Sequence, residues 1–380
     1  MPAINLFPAV LLAGPPHAGK SALAYNLSIH LKKSQTPFIL LRTTPDGEGD
    51  WFMEAEKNVG LLLRQKKRFT PQLVQRAVRA IEQRHLPMLV DVGGRPQGQQ
   101  FRIFHACTHV ILLYRTDSEL RQWRTWLDET SLIPLAILRS HLHGHDEIIS
   151  DNGPLQGVIS GLDRFHPRLG EMFQRVLQRV QGVFDYPPGR IRSRHLSQAP
   201  QQSHIVVVED LARQVGVPLT DRGLWWEPDH IPRALQIIPP AAPVALYGRG
   251  PAWLYAALAS HALPASFHLF DARHFGWMKP PRVILNSARV TGITFTLQME
   301  ADVVRLKIVS SDRFLAPRPL HIPPLPAASG VILDGKAPIW LTSALVRGLA
   351  RYYPHIHLYD PRLQAPVLVS ERTPQGAVHR

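Results

Sequence analysis

An aspartate followed two residues later by an arginine closes two similar apolar runs, "FHLFDAR" (267–273) and "IHLYDPR" (356–362). A carboxylate beside a guanidinium at the end of a strand is a pair that can either do chemistry or simply form a salt bridge. The arginine can pair with a phosphate. Upstream of each pair lies a second shared stretch, "PVALYGRGPAWLYAAL" (243–258) and "GVILDGKAPIWLTSAL" (330–345). Gly248, Pro251, Trp253 and Leu254 correspond to Gly335, Pro338, Trp340 and Leu341 at an offset of 335 − 248 = 87. Asp271 and Arg273 correspond to Asp360 and Arg362 at 360 − 271 = 89. Each copy therefore reads strand, glycine turn, helix, strand, acidic turn. The glycine permits a turn with φ above zero, the proline suits the first helical position, and the helix presents free amides to an anion. Arg249 and Lys336 sit in those turns, placed to pair with phosphate. Trp253 and Trp340 are expected as core anchors. A duplicated unit packs as a pseudo-symmetric pair with a site at its junction. The alternative is a purely structural repeat held by a salt bridge.

A third constellation stands at the other end of the chain. "GPPHAGKS" (14–21) is G-x-x-x-x-G-K-S between an apolar run and a helical pattern. Gly14 and Gly19 let backbone amides curl around phosphate oxygens, Lys20 reaches the β- and γ-phosphates, and the Ser21 hydroxyl ligates Mg²⁺. Asp91 ends the run "LPMLVD", where a carboxylate holds Mg²⁺ through water. In "TTPDGEGDW" (43–51) Asp46, Glu48 and Asp50 alternate with glycines, which reads either as metal coordination or activation of an attacking group, or as a solvated turn. No N-K-x-D follows, so a guanine site of the GTPase kind is unsupported. Arg139, His141, His143 and His145 in "LRSHLHGHDE" read as a lid or base-contacting loop in preference to a metal cluster.

The elements that must position these residues follow from periodicity. "LFPAVLLAG", "TPFILLRTT", "HLPMLVDVGG", "THVILLYRT" and "IPLAILRS" read as strands, and the segments between them carry apolar residues at helical spacing. The alternation predicts an α/β fold with a doubly wound parallel sheet over residues 1–185. "DYPPGRIRSRHLSQAPQQS" reads as a linker over 186–203, and the two copies occupy 204–282 and 283–380. Lys and Arg number 43 against 29 Asp and Glu, a net charge of +14 that favours a polyanionic partner such as nucleic acid or a nucleotide. The one cysteine, Cys107, excludes an intrachain disulfide framework, and no stretch has the length of a membrane span. A cytoplasmic protein without a membrane partner is expected.

The second copy, "GVILDGKAPIWLTSAL…HLYDPRLQAPVLVSE", resembles the CRISPR-associated Csx-three ring-nuclease family over roughly residues 284–372. The first copy is a weaker relative, and the whole arrangement resembles the fusion members with an N-terminal P-loop (AAA-like) NTPase domain. The resemblance implies ferredoxin-like α+β units and homo-oligomers that sandwich their ligand. It implies binding of cyclic tetra-adenylate, the second messenger of type III CRISPR antiviral defence, and its slow Mn²⁺-dependent hydrolysis. By the same resemblance Asp360 and Arg362, with Asp271 and Arg273 through the repeat, belong to the reactive site. The resemblance implies one histidine before the final strand and another after the motif; the second copy has Arg351 and "SER" in those regions, while the first offers His261 and His274. Cleavage by a composite site, or sensing of the ring by a chain whose P-loop domain answers as an ATPase or kinase, are both open. A further alternative is an RNA-binding or deadenylating nuclease. ATP, Mg²⁺ and Mn²⁺ are the expected cofactors.

Overall fold

A computed structural model describes residues 7–43, 71–93, 96, 98–163, 166–221, 223–272, 276–286, 292–310 and 317–372. The chain divides into two compact units, Met1–Arg194 with Ala272–Gly276, and His195–Asp271 with Trp277–Arg380. Both are mixed α/β structures. No helix among the described residues is long and apolar enough to cross a membrane.

The first unit is built on β1 (Ala9–Ala13), β2 (Ile39–Arg42), β3 (Met88–Asp91), β4 (His109–Tyr114), β5 (Ile133–His141), β6 (Glu147–Ser150) and β7 (Leu155–Ser160). Their order is β2-β3-β1-β4-β5-β7-β6, with all neighbours parallel except the antiparallel pair β6–β7. All five residues of β1 are buried, as expected of a strand covered on both faces. One face packs on Leu23, Leu27 and Leu31 of α1 (Lys20–Lys33) and on Phe173 and Val176 of α5 (Glu171–Val183). The other packs on Val74, Val78 and Ile81 of α2 (Pro71–Glu82), on Phe104 of α3 (Phe101–Ala106), and on Trp123 of α4 (Asp117–Asp128). A reciprocal capping box between Thr116 and Glu119 starts α4.

Three features differ from expectation. Strand β3 pairs directly with β1, setting Asp91 beside Leu12, whereas an AAA-like sheet places another strand between them. The AAA-like reading is corrected on that ground. Strands β6 and β7 form a hairpin beyond the fifth strand, because Leu155, Gly157 and Ile159 are buried alternately with half-buried neighbours. The stretch read as a linker holds α6 (Pro188–Ser197), opened by a proline at its first position and anchored by buried Ile191 and His195.

The second unit contains both copies of the repeat. The first comprises β8 (His204–Val207), α7 (Val208–Val215), β9 (Leu219–Thr220), β10 (Gly223–Leu224), α8 (His230–Ile237), β11 (Val244–Tyr247), α9 (Ala252–His261), β12 (Phe267–Asp271) and β13 (Gly276–Met278). The second comprises β14 (Val283–Leu285), β15 (Ile293–Glu300), β16 (Val303–Ser310), β17 (Leu320–Ile322), β18 (Gly330–Asp334), α10 (Ile339–Leu349), β19 (His355–Asp360) and β20 (Ala365–Glu371). Their sheets run β13-β12-β11-β8 and β15-β16-β18-β19-β20. In each, the strand before the glycine turn lies between two parallel neighbours, β8 and β12 around β11, β16 and β19 around β18. A ferredoxin-like unit would instead insert an antiparallel strand between the two ends of its βαβ crossover. The ferredoxin-like expectation is corrected: each copy is an adjacent parallel βαβ.

Helix α9 is buried from Trp253 through Ser260 and has no polar face, so it belongs in an interior. It packs on α10, β19 and β20 of the second copy, while α10 packs on α9 and β14. Helix α9 of the first copy thus lies on the two strands that flank the second copy's acidic turn.

Gly335 follows β18 with φ 129°, and a Cβ there would stand closer than 3.0 Å to the Ile308 carbonyl of β16. Gly144 has nearly the same φ, 125°, but open space around it. Gly144→Ala should cost only the backbone strain, roughly 1–3 kcal/mol. Gly335→Ala should cost visibly more, and equal shifts of the two variants in thermal unfolding would refute the steric account.

Candidate functional site

In the first unit β1 runs into a loop whose glycines take conformations closed to other residues, Gly14 at φ 140° and Gly19 at φ 87°. A Cβ at Gly14 would collide with the Leu113 carbonyl of β4. Lys20 opens α1 and is 6% exposed. Its Nζ donates to the Gly14 carbonyl at 2.8 Å and to the Pro15 carbonyl at 2.7 Å. Burial pushes its pKa down to about 8, with Asp91 opposing and Arg115 adding to the fall. Asp91 is buried, and Ser21 is half-buried at the second position of α1. Gly14, Gly19, Lys20, Ser21 and Asp91 therefore meet at the carboxyl edge of β1 and β3. Lys20 is here a buried cation that donates to neutral loop carbonyls. Arg115, paired with Glu119 at 2.7 Å, completes the charge set around Lys20. Sequence reasoning missed that pair, although the T-x-x-E spacing of a capping box was there to be read. Asp46, Glu48 and Asp50 lie outside the described residues. Arg139 pairs with Asp117 and lies over the Tyr114 ring. Among the described residues no group of three His, Cys, Asp or Glu is arranged to hold a metal.

In the second unit Asp360 ends β19, and its two carboxylate oxygens are engaged separately. Trp253 Nε1, from the first copy, donates to Oδ2 at 2.8 Å, and the Arg362 backbone amide donates to Oδ1 at 2.8 Å. The Arg362 guanidinium donates to the Trp226 carbonyl at 2.8 Å and lies 4.6 Å from the centroid of the Trp225 ring. Trp253 is thus a core anchor, 1% exposed, whose polar edge also crosses between copies. Neither its donor role nor the Trp225–Trp226 pair was anticipated. A tandem tryptophan within the first copy, upstream of its glycine turn, was the available signal.

The two glycine turns differ in their surroundings. Gly335 and Lys336 are exposed. Gly248, at φ 119°, lies against Glu209 of α7, whose Oε1 accepts from the Arg249 amide at 3.3 Å. Tyr255 pins the same turn by donating to the Gly248 carbonyl at 2.6 Å. Its hydroxyl pKa is raised by burial, then by Glu209 and Asp271, and the parallel register of β11 and β12, with Leu246 beside Leu269, carries Asp271 toward the same turn. His261 is not brought to the acidic turns. It ends α9, eight residues past Trp253 and about 12 Å along the axis. Its Nε2 meets the Ile238 carbonyl at 2.7 Å. Arg273 and His274 lie outside the described residues.

The family model described as CRISPR-associated protein (Cas_csx3) matches residues 309–379. This C-terminal stretch is similar to a CRISPR-associated family. It contains Gly335, Lys336, Trp340, Asp360 and Arg362. No curated protein matches the chain.

A hydrogen bond to a charged carboxylate is worth about 1.5–3 kcal/mol net. A double-mutant cycle of Trp253→Phe and Asp360→Ala in urea unfolding should return a coupling in that range. Additive effects would show that the bond contributes nothing to holding the copies together.

Proposed function

We propose that the second unit binds a cyclic oligoadenylate, cyclic tetra-adenylate, and cleaves it with the help of Mn²⁺, while the first unit binds ATP with Mg²⁺. The observation that carries this reading is the family match over the stretch that holds both the open Gly335–Lys336 turn and the Asp360–Arg362 turn. A closed ring of four phosphates needs fixed cations and amides from more than one element, and a tandem repeat offers them in duplicate. Lys336 is the exposed cation for a phosphate oxygen. Each Asp360 oxygen accepts one of these hydrogen bonds and has capacity for a further partner, so the carboxylate can still take a cation. A divalent ion there would draw its remaining shell from water and ligand phosphate, as hard cations do. When bound it supplies charge neutralisation as a 2′-hydroxyl or a water attacks phosphorus and the P–O5′ bond breaks. A homo-oligomer would close the ring from both sides.

A second reading is that the ring is sensed without being cut and the first unit answers as an ATPase or kinase. It is favoured by the commitment of Asp360 and Arg362 to Trp253, Trp226 and Trp225 within the fold. Labelled cyclic tetra-adenylate with Mn²⁺, with and without ATP, separates the two. Linear products that disappear in Asp360→Ala or Asp271→Ala establish cleavage, with a rate loss of at least about 100-fold expected for the essential carboxylate. Tight retention of uncut ring establishes sensing, and no binding at all refutes both.

ATP binding should also report on Lys20. The lysine with pKa about 8 is mostly neutral at pH 8.5, and a phosphate beside Nζ raises that pKa again. Calorimetry at pH 8.5 in buffers of different ionisation enthalpy should therefore show net proton uptake on ATP binding. Lys20→Met should abolish it, and proton release by the natural chain would contradict the assignment.

A further inference from the structure

The two glycine turns of the second unit are alike in sequence and unlike in what stands beside them. In the second copy the strand next to β18 is β16, paired in parallel with Lys307 beside Asp334. It continues past that point as extended chain, so Gly335 faces the neutral carbonyl of Ile308, and Gly335 and Lys336 are left exposed. In the first copy the neighbour of β11 is β8, with Val207 beside Tyr247. Here the chain turns straight into α7 at Val208. The second residue of that helix is Glu209, which the parallel register delivers to the turn one or two residues beyond Tyr247. Its Oε1 accepts from the Arg249 amide at 3.3 Å, and its carboxylate fills the space where a Cβ on Gly248 would project. Tyr255 fixes the turn through the Gly248 carbonyl at 2.6 Å. The equivalent of Tyr255 in the second copy is Thr342 (255 + 87), whose hydroxyl donates instead to Ile339 of its own helix at 2.9 Å.

We propose that the Glu209 carboxylate is an internal occupant of the first copy's glycine turn, so that each chain offers an incoming phosphate one open turn, Gly335–Lys336, and not two. An anion already sits on an amide of the Gly248 turn. A phosphate arriving there would have to displace it and would meet a second carboxylate, Asp271, nearby. The inference rests on the reading that these turns take phosphate, and it deepens that reading. A repeat with both turns open would hold its ring symmetrically, whereas this chain grips through one copy. The other copy supplies Trp253 and the Trp225–Trp226 segment to position the Asp360–Arg362 turn. Glu209 is a specificity element under this proposal and not a catalytic residue.

The backbone amide signals of Arg249 and Lys336 in the full chain provide the test, followed while inorganic phosphate and, separately, cyclic tetra-adenylate are added. In the natural chain the Lys336 amide should shift with phosphate and the Arg249 amide should not. In Glu209→Gln the Arg249 amide should become responsive, while in Glu209→Asp, which keeps the charge and tests for general misfolding, it should respond less than in Glu209→Gln. Equal responses of the two amides in the natural chain, or a silent Arg249 amide in a folded Glu209→Gln variant, would overturn the proposal. A Lys336 amide that answers phosphate but not cyclic tetra-adenylate would sink the ring reading alone and leave the single open turn standing.

Discussion

Helix α9 is held at both ends by side chains of the other copy, and the signs match its dipole. Asp360 sits at the N-terminal turn through Trp253 Nε1. At the other end Arg347 donates to the carbonyls of Ala259 and Ala265, and Arg372 to that of Ser260. A negative group at the N-terminus and positive groups at the C-terminus each contribute about 0.3–1 kcal/mol, rising to about 2 kcal/mol where partly buried. Burial of Trp253, Leu254 and Leu258 contributes more, about 1.5–3 kcal/mol for each side chain. Magnitude therefore assigns the roles. Hydrophobic burial decides that α9 lies inside, and the charges decide which way it points and which copy it faces. Burial lowers the Arg347 pKa to about 10, with Arg372 adding to the fall, so the guanidinium stays charged at neutral pH and the clamp persists.

That clamp constrains the chemistry proposed for Asp360 and Arg362. A carboxylate with each oxygen already accepting a bond is well fixed, which suits pre-organised catalysis. It also suits a wholly architectural task. The same carboxylate can serve both, because the indole donor and the amide donor engage different oxygens and a carboxylate has further acceptor capacity. What it cannot do is move. A ligand that engages Asp360 comes to a fixed carboxylate, and under the proposed function the rest of the grip comes from the open Gly335–Lys336 turn.

The local elements were legible and the pairings between them were not. Each of the five apolar runs in the first half contains a strand, and both glycine turns of the repeat sit between strand and helix, because period, glycine and proline act over a few residues. Strand order depends on non-local pairing. Adjacent and split βαβ units use the same local pieces, so the ferredoxin-like expectation failed on order alone. The site divides in the same way. Gly14, Gly19, Lys20 and Asp91 could be read from a motif whose spacing is set by one loop and two neighbouring strands. Trp253 and Asp360 are 107 residues apart, and Arg362 and Trp226 are 136 apart, with nothing in either neighbourhood naming the partner. Glu209 was invisible for another reason. Its importance comes from a helix that starts one residue after β8, which the second copy does not repeat.

The count of charges is a weaker guide to a polyanionic partner than it first seemed. Arg84 donates to the carbonyls of Phe7 and Ile81 and is buried, its pKa lowered to about 10 by that burial. Arg347, Arg362 and Arg372 likewise hold main-chain carbonyls. A carbonyl is neutral, so these cations stay in the sum of +14 while their guanidinium donors are directed to the protein's own backbone. An arginine used in this way raises net charge without building an anion site, because its planar fork of donors is already engaged. Net charge still steers an anion at long range, where the field depends on the sum and not on the partners. Short-range recognition is different. It needs a cation or amide whose present acceptor a phosphate can replace at little cost. Lys20, which donates to two neutral loop carbonyls, and the exposed Gly335–Lys336 turn meet that requirement, and the proposed phosphate binding rests on them.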